Sequence, residues 1–147
     1  INTTKPKWKG ERTAQRLLIW PEQGVGDEVM FASLFTQLQG IVQNILVITD
    51  ARLIPIFKRS FPKIQFFSKE VGVRECDFDI HLAIGSLPSI FLRSQTDFDN
   101  IKPSYLIPDL DLSLKLRKQI SQPGKKICGI SWKSGNKKLG ANRSSYS

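Results

Sequence analysis

The chain has 147 residues, 40% apolar and 24% charged, with a net charge of +9, two cysteines and one histidine. That length and balance fit one ordinary soluble domain with a sizeable core. No apolar run approaches the roughly 20 residues of a membrane-spanning helix, and two unclustered cysteines beside one histidine exclude a disulfide framework and a zinc site.

In chain order, the first dozen residues, "INTTKPKWKGER", are polar and read as a linker or arm. They lack the apolar core of a secretory signal, so a reducing cytoplasm is the expected compartment. Residue 1 is Ile rather than Met, so the sequence reads as a processed product or a fragment of a longer gene. "RLLIW" (16–20), closed by Pro21, is a short buried strand. Residues 26–39 read as one helix, with Val29, Met30, Ala32, Ser33, Leu34 and Leu38 near one face and Gly40 as its stop. "ILVIT" (45–49) is a second strand, rich in β-branched residues. Residues 51–61 are helical, with Pro55 in the first turn or at a kink, and "IQFF" (64–67) is a third strand. "FDIHLAI" (78–84) is a fourth, followed by a short helix (86–94) with Ser86 as its N-cap. An irregular connection leads to a helix over 112–120. "KICGISW" (126–132) is a fifth strand that would bury Cys128, and the tail is loop-like.

Continuous apolar strands alternating with helices are the pattern of a parallel sheet covered on both faces. The expected fold is therefore a three-layer α/β Rossmann-like domain with a mainly parallel sheet of about five or more strands. The charge is uneven. Residues 1–16 hold five Lys/Arg against one acid, residues 115–147 nine against none, and residues 17–114 eight against twelve. Basic ends on a mildly acidic body fit a solvated or partner-facing surface, or a small-anion site. Nothing here has the spacing of a zinc finger or the aromatics of an RNA-binding motif, so nucleic acid is not an expected partner.

One stretch concentrates the chemistry: Glu22 to Val29, "EQGVGDEV", between the first strand and first helix. Ligands of open parallel sheets bind at such a turn. Gly24 and Gly26 permit close backbone approach and positive φ, and the helix start offers free N–H groups. A P-loop is excluded, because no Lys followed by Ser or Thr is present. A dinucleotide fingerprint wants a third glycine where Val29 stands, although Asp50 sits where a ribose-binding acid would. Asp27 would repel a phosphate bound at the helix start. It reads either as a general base or as a carboxylate that caps the helix.

The blocks "LLIWPEQGVGDEVMFASLFTQL", "FDIHLAIGSLPSIF", "PSYLIPD", "ICGISWKSGN" and "NRS" occur in that order. Together they resemble the glycosyltransferase-like domain that follows tetratricopeptide repeats in many bacterial proteins. That domain is similar to the heptosyltransferases of glycosyltransferase family 9 and, more distantly, to O-linked N-acetylglucosamine transferases. The resemblance covers nearly the whole chain from Trp8. It implies the acceptor-binding half of an enzyme with two Rossmann-like domains, which moves a sugar from a nucleoside diphosphate to a hydroxyl without a metal. No cofactor is implied; the nucleotide sugar is a substrate.

In that resemblance Asp27 would be the general base. Glu22, Gln23, Gly24, Val25, Gly26, His81 and Ser86 would form the acceptor or anion loop. Ser131, Lys133, Ser134, Asn136 and Arg143 would face donor phosphates, in a crossover tail (134–147) leading from a domain over 16–133 to a second domain. The bland readings stand beside these: His81 as a hydrogen-bonded core residue, Ser86 as a cap, Glu22 and Gln23 as loop pins, and the tail as a flexible basic segment. The chain departs from the family in lacking both the repeats and the second domain. It is expected to be silent as it stands and to self-associate through an exposed edge. A non-catalytic interaction module, or a dinucleotide-binding domain using Gly24, Gly26 and Asp50, are the alternatives.

Overall fold

The structure, a computed structural model, describes residues 1–130. Four apolar runs form the strands β1 (Thr13–Trp20), β2 (Val42–Thr49), β3 (Gln65–Ser68) and β4 (Ile80–Ala83). They pair in parallel in the order β3-β2-β1-β4, so the chain winds outward from β1 and then crosses back to place β4 on its other side. This is the alternating α/β, Rossmann-like architecture that the sequence pattern implies, with four strands where five or more were expected. The fifth expected strand has no counterpart among the described residues. Lys126–Ile130 carry no regular structure, and Cys128 is exposed rather than buried. Without paired neighbours, an apolar run of that length has no strand to join.

Strand alternation sorts the core into two clusters. Leu17, Ile19, Ile45, Val47, Phe66, Ile80 and Leu82 point to one face and meet the helices α1 (Val25–Ala32), α2 (Phe35–Ile41), α3 (Ile54–Ser60) and α4 (Leu87–Phe91). Leu18, Leu46 and Phe78 point to the other, with Ile48, Phe67 and Val73 around them. That third layer is the β3–β4 crossover, which carries only a single short 3₁₀ turn at Glu75–Asp77. On the helical side Phe35 packs edge-on to Phe57 and Phe61 at ring distances of 6.1 and 5.3 Å, and Phe57 lies 5.6 Å from Phe66.

The helix expected over 26–39 is two helices. At the break the Ser33 hydroxyl donates to the Met30 carbonyl at 2.7 Å, and the amides of Ser33 and Leu34 reach back only three residues. A serine that competes for backbone carbonyls tightens and interrupts a helix in this way. Met30, expected on the apolar face, is exposed. The carbonyl of Val29, next to the break, accepts the hydroxyl of Tyr105. Tyr105 belongs to the irregular connection before Pro108, and that connection is a packed strap. Tyr105 stacks on Phe61, the Ile107 N–H donates to the Ser60 hydroxyl at 2.8 Å, and Arg59 Nε donates to the Ile107 carbonyl at 3.0 Å. Burial holds the Tyr105 hydroxyl above its ordinary pKa. A short helix α5 (Gln95–Asp99) precedes the strap, capped by Ser94, whose side chain accepts from the Asp97 N–H. By contact density the strap closes one unit, Ile1–Pro108, and Asp109 begins a second. The described part of that second unit holds α6 (Leu110–Ile120), N-capped by the Asp109 carboxylate. Among the described residues no helix is long and apolar enough to cross a membrane.

The first dozen residues run along the free edge of β4. The Trp8 N–H donates to the His81 carbonyl at 2.9 Å, and the His81 N–H donates to the Pro6 carbonyl at 3.1 Å. Trp8 is 1% exposed, with its indole N–H on the Glu11 carbonyl. Further out, Glu75 accepts from the Thr3 hydroxyl and from both the amide and the hydroxyl of Thr4. Gly10 makes the turn into β1 with φ of +102°, and a Cβ there would stand 2.9 Å from Ile90, so only glycine fits. A two-pronged pair clamps the start of β1 to the start of β4. Arg16 Nε and Nη2 donate to the two Asp79 oxygens at 3.1 and 2.8 Å, and the Arg16 amide adds a third bond.

Two predictions follow from these edge contacts. Trp8→Ala is expected to lower the unfolding free energy by about 3–5 kcal/mol, as for other fully buried aromatics, whereas Lys7→Ala, at an exposed position, leaves it within roughly 0.5 kcal/mol; urea unfolding at constant m-value distinguishes the two. The hydrogen bonds from the Arg16 side chain, then that from its amide, hold the Asp79 carboxyl at about 2, against an ordinary 3.8. A depressed carboxylate contributes stability that is complete above its unfolded value and is lost as pH falls through its folded value. Acid unfolding of Asp79→Asn should therefore be flatter than wild type between about pH 4 and pH 2. Superimposable profiles would remove the pair from the stability of this edge.

Candidate functional site

The carboxyl ends of the strands bring together the β1–α1 loop, the end of β2, the residues after β3 and the turn after β4. Glu22, Gln23 and Gly24 lie on the first of these with Val25, Gly26 and Asp27 in the adjoining first turn of α1, Asp50 on the second and Ser86 on the last, so the topology does gather the expected loop residues at one edge. His81 is deeper in the sheet. It is half-buried in β4, and its Nδ1 accepts the Trp20 indole N–H at 3.1 Å.

The glycine loop is built differently from the expectation. Gly24 has φ of −85° and ψ of 172°, ordinary extended backbone, and neither Gly24 nor Gly26 has positive φ. A Cβ on Gly26 would meet nothing within 4 Å. Neither glycine is therefore required by strain or by close approach. The close approach at this edge is at Gly85, where a Cβ would lie 2.5 Å from Glu22 Oε1, the mobile end of an exposed side chain that would have to move aside. The Glu22 side chain thus lies across the gap between the β1 and β4 loops, where a Rossmann-like fold presents its crevice.

Asp27 turns back on its own helix. Its Oδ2 accepts the Gly24 N–H at 3.1 Å, while its own N–H donates to the Gly24 carbonyl at 3.0 Å. This reciprocal arrangement satisfies two groups that a helix start otherwise leaves to solvent. Asp50 does the same for the turn at Ala51–Leu53. Its carboxylate accepts the Arg52 N–H at 3.0 Å and both arms of the Arg52 guanidinium at 2.9 Å. Those bonds push the Asp50 carboxyl far below the usual carboxylate range and raise the guanidinium's pKa. Ser86 is not a side-chain cap. A 3₁₀ turn (Ile84–Ser86) runs directly into α4, so Ser86 already has helical φ and ψ and its hydroxyl makes no cap bond. Ser131, Lys133, Ser134, Asn136 and Arg143 lie outside the described residues.

The most constrained group at this edge is Glu28, which the loop motif obscured. It is 1% exposed. Its Oε2 accepts the Thr49 hydroxyl at 2.6 Å and the Asp50 N–H at 2.9 Å, and its Oε1 accepts Lys69 Nζ at 2.6 Å. One carboxylate thus ties α1 to the end of β2 and to the residue after β3. A signal for it exists in the sequence: Glu28 follows Val25 by three residues and precedes Ala32 by four, an acid on the apolar face. Together with Glu22, Asp27, Asp50 and Glu70 it gives this edge five acids against the two cations Arg52 and Lys69. Such a surplus repels phosphate.

The chain is similar to Protein FlbA of Caulobacter vibrioides, at 32% identity over 157 aligned positions. The match takes in 93% of this chain and 26% of FlbA, so the chain spans about a quarter of that relative's length. No family model matches, and no solved structure matches. These findings correct the family reading. The similarity found is to FlbA and not to a glycosyltransferase, so membership of the heptosyltransferase-like, tetratricopeptide-associated group is not supported, and neither is sugar transfer from a nucleotide sugar. The general-base role of Asp27 rested on that resemblance, and in the structure the Asp27 carboxylate accepts the Gly24 N–H. Two of the quoted blocks report needs of the fold: "LLIWPEQGVGDEVMFASLFTQL" a strand and a capped helix start, and "FDIHLAIGSLPSIF" a strand and the helix after it.

Glu28→Ala should cost about 3–5 kcal/mol, the usual loss when one partner of a buried ion pair is removed. Glu28→Gln, which keeps an oxygen for Thr49 and Asp50, should cost less. Chemical denaturation ranks the two, and a Glu28→Ala protein within roughly 0.5 kcal/mol of wild type contradicts the structural role assigned to this carboxylate.

Proposed function

We propose that this chain is a non-catalytic interaction module built on an α/β scaffold. The observation that carries this reading is the internal use of the polar groups at the carboxyl edge. Asp27 holds the Gly24 amide, Asp50 holds Arg52, and Glu28 holds Thr49, the Asp50 amide and Lys69. At the edge where this fold class does its chemistry, the carboxylates of Asp27, Glu28 and Asp50 are engaged with the fold, and the acidic surplus, Glu22 included, opposes nucleotide phosphates. The dinucleotide alternative is weakened by the same facts, since Asp50 is engaged and Val29 packs on the core where a third glycine would be needed. The similarity to Protein FlbA brings no substrate or reaction with it. Exposed aliphatic side chains on α6 (Leu110, Leu112, Leu114, Leu116 and Ile120) supply contact surface of the kind that interfaces use.

A thermal-shift series with NAD, nucleoside diphosphates and nucleotide sugars tests the reading. A ligand present at 100 times its Kd adds about 2.7 kcal/mol to the folded state, enough to raise Tm by several degrees. No shift is expected with any of them. Saturable stabilisation by one of these ligands, abolished by Asp50→Ala, would overturn the proposal.

A further inference from the structure

The opposite edge of the sheet is organised in the reverse sense. Two adjoining cavities of about 230 and 240 Å³ lie where β1, β2 and β3 begin, and they share the walls Gln39, Val42 and Gln43. The first is closed by Arg12 and Thr13, the second by Lys63. No acidic residue lines either cavity. Arg12, Lys63, Gln39 and Gln43 make no side-chain hydrogen bond or ion pair with the other described residues. The neighbouring carboxylate, Glu11, faces the Lys9 amide instead. The Arg16–Asp79 pair, also at this edge, is already closed on itself.

The spacing follows from the sheet. Arg12 immediately precedes β1 and Lys63 stands two residues before β3, with the start of β2 between them. Two strand spacings separate them, on the order of 10 Å. The β1–β2 register slips between Thr13 and Arg16, and the irregularity sits at the rim of the first cavity. The negative end of α2 also reaches this rim, but it contributes only about half a charge against two whole cations.

We propose that this groove at the amino edge of the sheet binds an acidic peptide segment of a protein partner, with two carboxylates placed against Arg12 and Lys63 and the Gln39 and Gln43 amides contacting the peptide backbone between them. This rests on the interaction-module reading and names the partner chemistry. Cations about 10 Å apart suit carboxylates spaced along an extended chain, whereas the adjacent phosphates of an oligophosphate lie too close together to engage both. The location also separates the groove from the carboxyl-edge crevice that Rossmann-like ligands use.

The test is a fluorescence-anisotropy titration of the whole chain with a labelled peptide carrying two glutamates separated by two residues in an extended, proline-flanked segment. Its glutamine counterpart and tripolyphosphate serve as controls, and amide chemical shifts are followed in parallel. Saturable binding of the acidic peptide is expected, weakened at least tenfold by the glutamine peptide and by the double variant R12E/K63E, with shifts centred on Thr13, Gly40 and Val42. Arg12 and Lys63 are exposed, so the double variant should retain the wild-type circular dichroism and Tm. Equal affinity for the two peptides, or unchanged binding by the double variant, overturns the groove. Tight tripolyphosphate binding lost in the double variant overturns the peptide assignment in favour of a phosphate ligand. Acidic-peptide binding with shifts elsewhere defeats this site but leaves the module reading standing. Stabilisation by nucleotides at the carboxyl edge defeats the module reading itself.

Discussion

The buried carboxylate of Glu28 is the constraint on which the carboxyl edge depends. A charge removed from water is tolerated only when it is paired and its lone pairs are used. Here one partner is a lysine that keeps access to solvent, so the ammonium need not be fully dehydrated, and two are donors fixed by the end of β2. The arrangement fixes the relative positions of α1, β2 and the chain after β3. It follows that the loop before α1 cannot be adjusted independently, because its helix is anchored one residue beyond Asp27. A ligand that needed Asp27 or Asp50 would first have to break bonds that hold the edge together.

The two edges of one sheet therefore carry opposite electrostatic characters. At the carboxyl edge, Asp27, Glu28 and Asp50 sit at the starts of helical turns, where backbone N–H groups favour acids, and they are held as caps and pairs. At the amino edge, Arg12 and Lys63 stand over cavities without acidic walls. The overall charge of +9 hides this polarity, since residues 17–114 are mildly acidic and the basic excess lies at the ends of the sequence. A field with this distribution attracts anionic partners to the amino edge and discourages anionic small molecules at the other.

Much of the scaffold was legible because its signals are coarse. The strands centre on short apolar runs (Leu17–Trp20, Ile45–Ile48, Phe66–Phe67 and Ile80–Ala83), and such runs are read directly. The details that escaped are those decided by one side chain. Ser33 splits a helix by offering its hydroxyl to Met30, and nothing in the hydrophobic period announces that. Trp8 is an isolated apolar residue in a polar stretch, and its burial depends on the free edge of β4, which is known only once the strand order is known. Residues 126–130 have strand composition, yet pairing is a property of neighbours and not of composition. At the site, the placement of the loop residues together was readable from the β–loop–α order. Their engagement was not, because a capping aspartate and a catalytic one occupy the same sequence position.

That last ambiguity explains how a string of matching blocks pointed to the wrong chemistry. A β-strand that ends, turns and enters a helix selects small residues in the turn, an acid in the first helical turn and an apolar residue after it, whatever the protein does. "EQGVGDEV" satisfies all of those requirements through Gly24, Asp27 and Val29, while "SLPSIF" carries no acid and meets the different requirement of a helix that begins with proline in its first turn. What separates a working loop from a structural one is a group left unsatisfied by the fold, poised for something outside it. Asp27 and Asp50 are both held by the fold, whereas the exposed Glu22 in the same motif, and Arg12 and Lys63 in stretches that no motif marks, are not.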